Sequence, residues 1–169
     1  MMTQFYVSVS CQPTRAMLMS GTDHHLAGVG SQGRVVPGNM AYQNRLTENV
    51  ASIAERMSAL NYHTSMVGKW HLGCKPPYLP LQNGFQEYLG LPYSNDMWPV
   101  DYDGTPIEQG KAQKSTPGNP HRPYYVPLFL IDGNEKVTPI KDLADQDTLT
   151  TRYTERAVKF IERASADAE

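Results

Sequence analysis

Cysteine is scarce in this chain of 169 residues: Cys11 and Cys74 are its only two. Two thiols make neither a disulfide framework nor a four-cysteine zinc site. An excess of one charge is also missing. Lys and Arg number 15 against 17 for Asp and Glu, a formal net charge of −2, so the basic surplus of a polyanion-binding module is absent. No window approaches the roughly 20 apolar residues that a membrane helix needs. The opening MMTQFYVSVS lacks the basic region and apolar run of a signal peptide. Nucleic-acid binder, membrane protein and disulfide miniprotein are all demoted. What the chain does hold is 13 glycines and 13 prolines, so much of it is turn and loop. Hydrophobic residues at 40% remain enough for one sizeable core.

Several elements are legible from pattern. FYVSVS, Phe5 to Ser10, alternates apolar and aromatic residues with Ser and is predicted to be a strand, leading into a helix at Arg15. LTENVASIAERMSALNY carries Val50, Ile53, Ala54, Met57 and Leu60 at helical spacing, with Thr47 as the candidate N-cap. The first half of HTSMVGKWHLG suits a short strand ending at Gly68. Strand and helix alternate in this way in an α/β sheet. YVPLFLIDGNEKVTPI reads as two strands around the turn Asp132-Gly133-Asn134. In TLTTRYTERAVKFIERASADAE, Leu149, Tyr153, Ala157, Phe160, Ile161 and Ala164 form one apolar helix stripe. Lys75 to Pro123, rich in Pro, Gly, Tyr and Asn, is expected to be ordered loop. The first strand begins almost at residue 1 and the last helix lacks a C-cap, so residues 1–169 are expected to be part of a larger domain.

Two segments could carry chemistry. Cys11-Gln12-Pro13-Thr14-Arg15 puts a thiol between a strand end and a helix start, with Pro13 suited to a first helical turn. A helix N-terminus and Arg15 both favour negative charge near residue 11. A reactive nucleophile and an inert buried thiol both remain open on these grounds. Gly68-Lys69-Trp70-His71-Leu72-Gly73 follows a predicted strand end, where ligands of open α/β sheets bind. Lys69 and His71, two apart, would share a face of an extended chain. A fixed cation beside an imidazole can hold an oxyanion and handle a proton; taken alone, however, the pair is better read as a surface Lys and a core-edge His that hydrogen-bonds a carbonyl. G-x-S-x-G, a P-loop and a strand followed by G-x-G-x-x-G are all missing.

Taken together, the two segments resemble the type I sulfatases. CQPTRAMLMSG is similar to the signature in which Cys-x-Pro-x-Arg directs conversion of the Cys to formylglycine, and GKWHLG resembles the second signature. GTDHHLAG (Gly21 to Gly28) and NGFQEYLGLPYSNDMWP (Asn83 to Pro99) add to the likeness, which spans most of residues 5 to 99 in the family's order. Thr14 stands where Ser is more frequent, retaining the hydroxyl.

The resemblance implies an alkaline-phosphatase-like α/β fold, with residues 1–169 an N-terminal portion of an arylsulfatase-type catalytic domain. It implies hydrolysis of sulfate monoesters, small-molecule or glycan, after a maturation enzyme has oxidised Cys11 to an aldehyde. One hydroxyl of the hydrated aldehyde attacks sulfur and releases the alcohol; the other then loses its proton, sulfate is eliminated and the aldehyde returns. Arg15 would stabilise the deprotonated diol, Lys69 would hold a sulfate oxygen, and His71 would bond the diol or assist proton removal. Ser94 matches a sulfate-touching position of some members. The family's divalent cation, usually Ca2+, is held by an Asp pair expected before residue 1 and an Asp-Asn pair expected beyond residue 169, leaving position 11, as formylglycine, the one metal contact expected here. Asp23 and Asp96 map to no ligand position. A phosphonate or phosphate ester hydrolase of the same superfamily, and a catalytically silent homologue with unmodified Cys11, are the alternatives. A periplasmic or secreted parent stays open.

The remaining candidates are read as follows. His24 and His25, being adjacent, are not expected to converge on a metal as a helix or strand pair would, and are placed as loop residues near the site entrance. His63 and His121 have no partners at motif spacing, and Cys74 has no second thiol nearby. Tyr93, Trp98 and Tyr102 either line a pocket for an aryl or sugar group or pack a Pro-rich loop, with packing favoured.

Overall fold

A computed structural model describes residues 4, 6–32, 34–93, 128–141 and 143–166. Among these residues, three helices, α1 (Cys11–Ser20), α2 (Ile53–Ala59) and α3 (Leu143–Ala166), accompany four strands, β1 (Ser65–Val67), β2 (Glu87–Gly90), β3 (Leu128–Asp132) and β4 (Glu135–Ile140). The strands form one sheet in the order β1-β2-β3-β4. The chain divides into two compact units, one of residues 1–66 and 70–87, the other of residues 67–69 and 88–169.

The first unit is rich in loops and short helices. α1 starts at Cys11 rather than Arg15 and ends at Gly21, whose φ of 67° provides the left-handed C-cap. α2 is shorter than the periodicity suggested, because its start is set by a capping box. The Ser52 hydroxyl accepts the Glu55 N–H, and the Glu55 carboxylate accepts the Ser52 N–H. Thr47 is therefore not the N-cap; it is buried upstream, and Val50 also precedes the helix. Ser52 donates from Oγ to the Asn83 carbonyl at 2.5 Å, tying α2 to the 3₁₀ turn Pro80–Asn83. A second 3₁₀ turn spans Pro76–Tyr78. Both turns, and β2, lie inside the stretch expected to be loop throughout. The buried apolar residues of this unit include Ala16, Ala27, Val29, Ala54, Trp70, Leu72 and Leu79.

The predicted first strand is not formed. Tyr6, Val7 and Val9 are exposed, and no strand among the described residues pairs with this segment. Alternation favours a strand only where a neighbour accepts its ladder hydrogen bonds. Here the contact is a side-chain one: Thr14 donates from Oγ1 to the Ser8 carbonyl at 3.0 Å.

The second unit follows its sequence pattern more closely. The Gly68 N–H donates to Leu89 O at 2.8 Å. β2 pairs antiparallel with β3, and β3 with β4, in the register Leu128↔Ile140 to Asp132↔Glu135 with an irregularity at Leu130/Ile131. Gly133 turns the hairpin at a φ of 62°. Pro139 lies in β4, the last strand of the sheet order among the described residues, and an edge strand is where a sheet tolerates proline. Leu89, Leu91, Leu128, Leu130, Ile140 and Leu149 make the core, with Tyr93 and Tyr153 packed against it. α3 begins at Leu143, earlier than its stripe suggested, and Asp145 sits in its first turn, accepting the Lys141 N–H at 2.8 Å. Leu149 is buried, whereas Ile161, assigned to the same stripe, is 60% exposed. No helix among the described residues is long and apolar enough to cross a membrane.

Candidate active site

Cys11 is the first residue of α1 and is exposed. Helical φ/ψ from this position on leaves unpaired N–H groups at its end of the helix, where negative charge is favoured. Arg15 follows four residues later, on the same helix face. Its Nε donates to the Trp70 carbonyl at 2.7 Å, which joins the first signature to the second. Pro13, buried in the first turn, forfeits no intrahelical hydrogen bond there. The Cys-x-Pro-x-Arg spacing thus has a physical sense: a residue presented at a helix start, and a cation one turn on that braces the helix.

The second signature does not continue β1. Gly68, His71 and Gly73 all have positive φ, at 102°, 63° and 130°. The extended-chain reading that put Lys69 and His71 on one face is therefore corrected. A non-glycine residue at positive φ is costly unless its surroundings over-determine it. Here they do: Trp70 and Leu72, on either side of His71, are fully buried. The Trp70 indole donates to Tyr78 O at 2.8 Å, and its ring meets Phe85 edge-on at 6.2 Å. A Cβ at position 73 would lie 2.4 Å from Tyr78 Cβ, so the motif's last glycine lets the chain pass this wall.

This arrangement places His71, itself buried, with Nδ1 3.6 Å from the Cys11 Sγ. The Cys11 thiol donates to Gln32 Oε1 at 3.1 Å. Gln32 was not singled out in the sequence; it lies 21 residues away in a loop with no motif. Gln12 was missed as well. It is buried, and donates from Nε2 to Asn44 O at 3.1 Å, holding the loop beneath α1. Cys11, Arg15 and His71 are brought together in the first unit. Lys69 is half-buried and belongs to the second unit, while Ser94, with Asp96, Trp98, Tyr102 and His121, lies outside the described residues.

Other expectations are sharpened. Tyr93 packs on the second unit's core, and His63 is exposed. His24 and His25 do converge: with Asp23 they place three ligand atoms within 4.8 Å of one another. Adjacent residues manage this because the backbone there is a tight turn rather than a strand or helix. The backbone N–H of His25, then its ring, hold the exposed Asp23 carboxyl below the usual carboxylate range.

A family model described as Sulfatase matches residues 1–168. Arylsulfatase G of Rattus norvegicus is 34% identical over 169 residues, covering 95% of this chain and 30% of its own length. Arylsulfatase A of Homo sapiens is 41% identical over 123 residues, covering 68% of this chain and 24% of its own length. Among solved structures, the PsFucS1 sulfatase from Pseudoalteromonas sp. superposes with a TM-score of 0.65 at 21% identity, over 96% of this chain and 32% of that one. The fold is the α/β, alkaline-phosphatase-like fold of these enzymes. The chain spans less than a third of the length of the relatives it matches, and it belongs to the sulfatase family.

Proposed function

We propose that the protein hydrolyses sulfate monoesters, aryl or glycan, with residue 11 as its nucleophile after a formylglycine-generating enzyme has oxidised the thiol. The observation that carries this reading is the Cys11–His71 approach of 3.6 Å at the start of a helix whose Arg15 is braced on Trp70. A modified residue 11 supplies a hydrated aldehyde for covalent catalysis. The chain's own residues divide the remaining work. The helix start and Arg15 favour negative charge at position 11. His71, whose neighbours Trp70 and Leu72 are buried, is assigned the exchange of a proton with a hydroxyl there. Lys69 is assigned to a sulfate oxygen, and Ser94 to a weaker contact with the same group.

The family's divalent cation is usually Ca2+, which takes oxygen ligands. The groups found around Cys11 do not fit it. They are a thiol, one amide oxygen and an imidazole, and among the described residues no carboxylate joins Cys11 in a metal-ligand cluster. We propose accordingly that the 169-residue chain alone shows little or no turnover of an aryl sulfate. Robust turnover that Cys11→Ala abolishes would contradict this. In a full-length sulfatase containing this chain, Cys11→Ala is expected to abolish turnover and Lys69→Ala to lower kcat by about 100-fold or more. An unchanged kcat in Lys69→Ala removes that residue from the site. A larger kcat/KM for phosphonate or phosphate esters than for sulfate esters moves the reading to the alternative activity of the superfamily.

A further inference from the structure

Immediately after α1 the chain folds into a turn that is fixed by its own backbone. The Ala27 N–H donates to Asp23 O at 3.0 Å, the Gly28 N–H to His25 O at 3.2 Å, and the Val29 N–H to His24 O at 2.7 Å. Ala27 and Val29 are fully buried, which anchors the turn from below. Asp23, His24 and His25 therefore rise from a constrained backbone, with one ligand atom from each within 4.8 Å of the other two.

Two further contacts bear on what such a cluster could hold. His24 Nδ1 lies 2.8 Å from the Val29 carbonyl. A carbonyl only accepts, so Nδ1 carries the hydrogen and the lone pair of the neutral ring is on Nε2. Metal-binding histidines are oriented in this way, one nitrogen donating to a carbonyl while the other ligates. The Asp23 carboxylate is kept beside the second ring by His25 Nδ1 at 3.1 Å. The two imidazoles are neighbours, their centroids 4.1 Å apart. The side chains of His25 and Asp23 are 48% and 58% exposed, so solvent ions reach the cluster and water can complete the coordination.

We propose that Asp23, His24 and His25 bind a transition-metal dication of the Zn2+ class, fixing the turn that follows the Cys11-bearing helix. Two imidazole nitrogens and one carboxylate suit Zn2+, whereas Ca2+ and Mg2+ take oxygen ligands. The site is independent of the sulfate-ester chemistry above, and its test does not use activity. Metal-free 169-residue chain is titrated with Zn2+ by calorimetry and with Co2+ by visible absorption. The expected result is one ion per chain and a Co2+ spectrum without thiolate charge transfer. His24→Ala and His25→Ala are each expected to weaken binding roughly 10-fold or more, with Asp23→Asn as a second probe that preserves side-chain shape. His63→Ala, at an exposed position outside the cluster, leaves binding unchanged. Absence of Zn2+ binding overturns the proposal. So does binding that survives both His variants, or binding lost only in Cys11→Ser, which would place the ion on the Cys11 thiol and His71.

Discussion

The two units of this chain are held together by different means. The unit carrying Cys11 and His71 relies on side chains bonded to backbone: Gln12 to Asn44, Arg15 to Trp70, Ser52 to Asn83, the Trp70 indole to Tyr78. Short helices and positive-φ residues fill the space between them. The unit carrying β3, β4 and α3 relies on a continuous cluster of five leucines and Ile140 at strand and helix spacing. Directional bonds can fix a side chain such as His71 in an unfavourable backbone conformation. An apolar cluster fixes elements against each other but places no single polar atom. The difference matches the division of labour expected between a site and its scaffold.

Substitutions in each unit test this contrast. The largest effect is expected for Gly90→Ala. A Cβ there would lie 1.7 Å from the Gly68 carbonyl oxygen, a backbone atom that cannot move aside alone. A loss of more than about 4 kcal/mol is expected in urea unfolding; wild-type stability would show that the sheet is not packed this tightly. Leu130→Ala follows, at about 2–5 kcal/mol, because Leu130 is 2% exposed within the apolar cluster. Ser52→Ala in the other unit should cost about 1–2 kcal/mol through the lost cap. If it costs as much as Leu130→Ala, the first unit leans on that cap and on the Asn83 contact more heavily than a single N-cap allows.

The smallest effect is expected for Tyr153→Phe. The Tyr153 hydroxyl is buried with no hydrogen-bond partner among the described residues, so removing it should change stability by less than about 1 kcal/mol. Burial pushes its phenol from 10.0 up to about 12. The unfolded chain then releases that proton first as pH rises, so the contribution is fully present below pH 10.0 and is lost toward about 12. Thermal melts across this window should fall more steeply for the wild type than for the Phe variant. Parallel slopes would show that Tyr153 is solvated.

The same contrast explains what could be read in advance. The hairpin around Gly133 and the α3 stripe through Leu149 and Tyr153 were legible because burial there repeats with the period of the element. The residues proposed for the site were legible for another reason: Cys11, Arg15 and His71 sit in short segments whose residue types match a family's signatures. Gln32 against Cys11, Gln12 under Asn44 and the positive φ of His71 obey neither rule. They arise from loops packed across long sequence separations, and no local pattern encodes them. Alternation misled at FYVSVS, where the partner strand that would stabilise it is not among the described elements. Adjacency misled at His24 and His25, where a turn brings together what a strand would separate.

The proposed function rests on residue 11 being a nucleophile made from a thiol. Mass spectrometry of the tryptic peptide ending at Arg15, from protein produced in its native host, tests it most directly. The expected result is the mass change of a thiol converted to an aldehyde at Cys11, in protein that turns over a sulfate ester. An unmodified thiol in protein with full activity would contradict it.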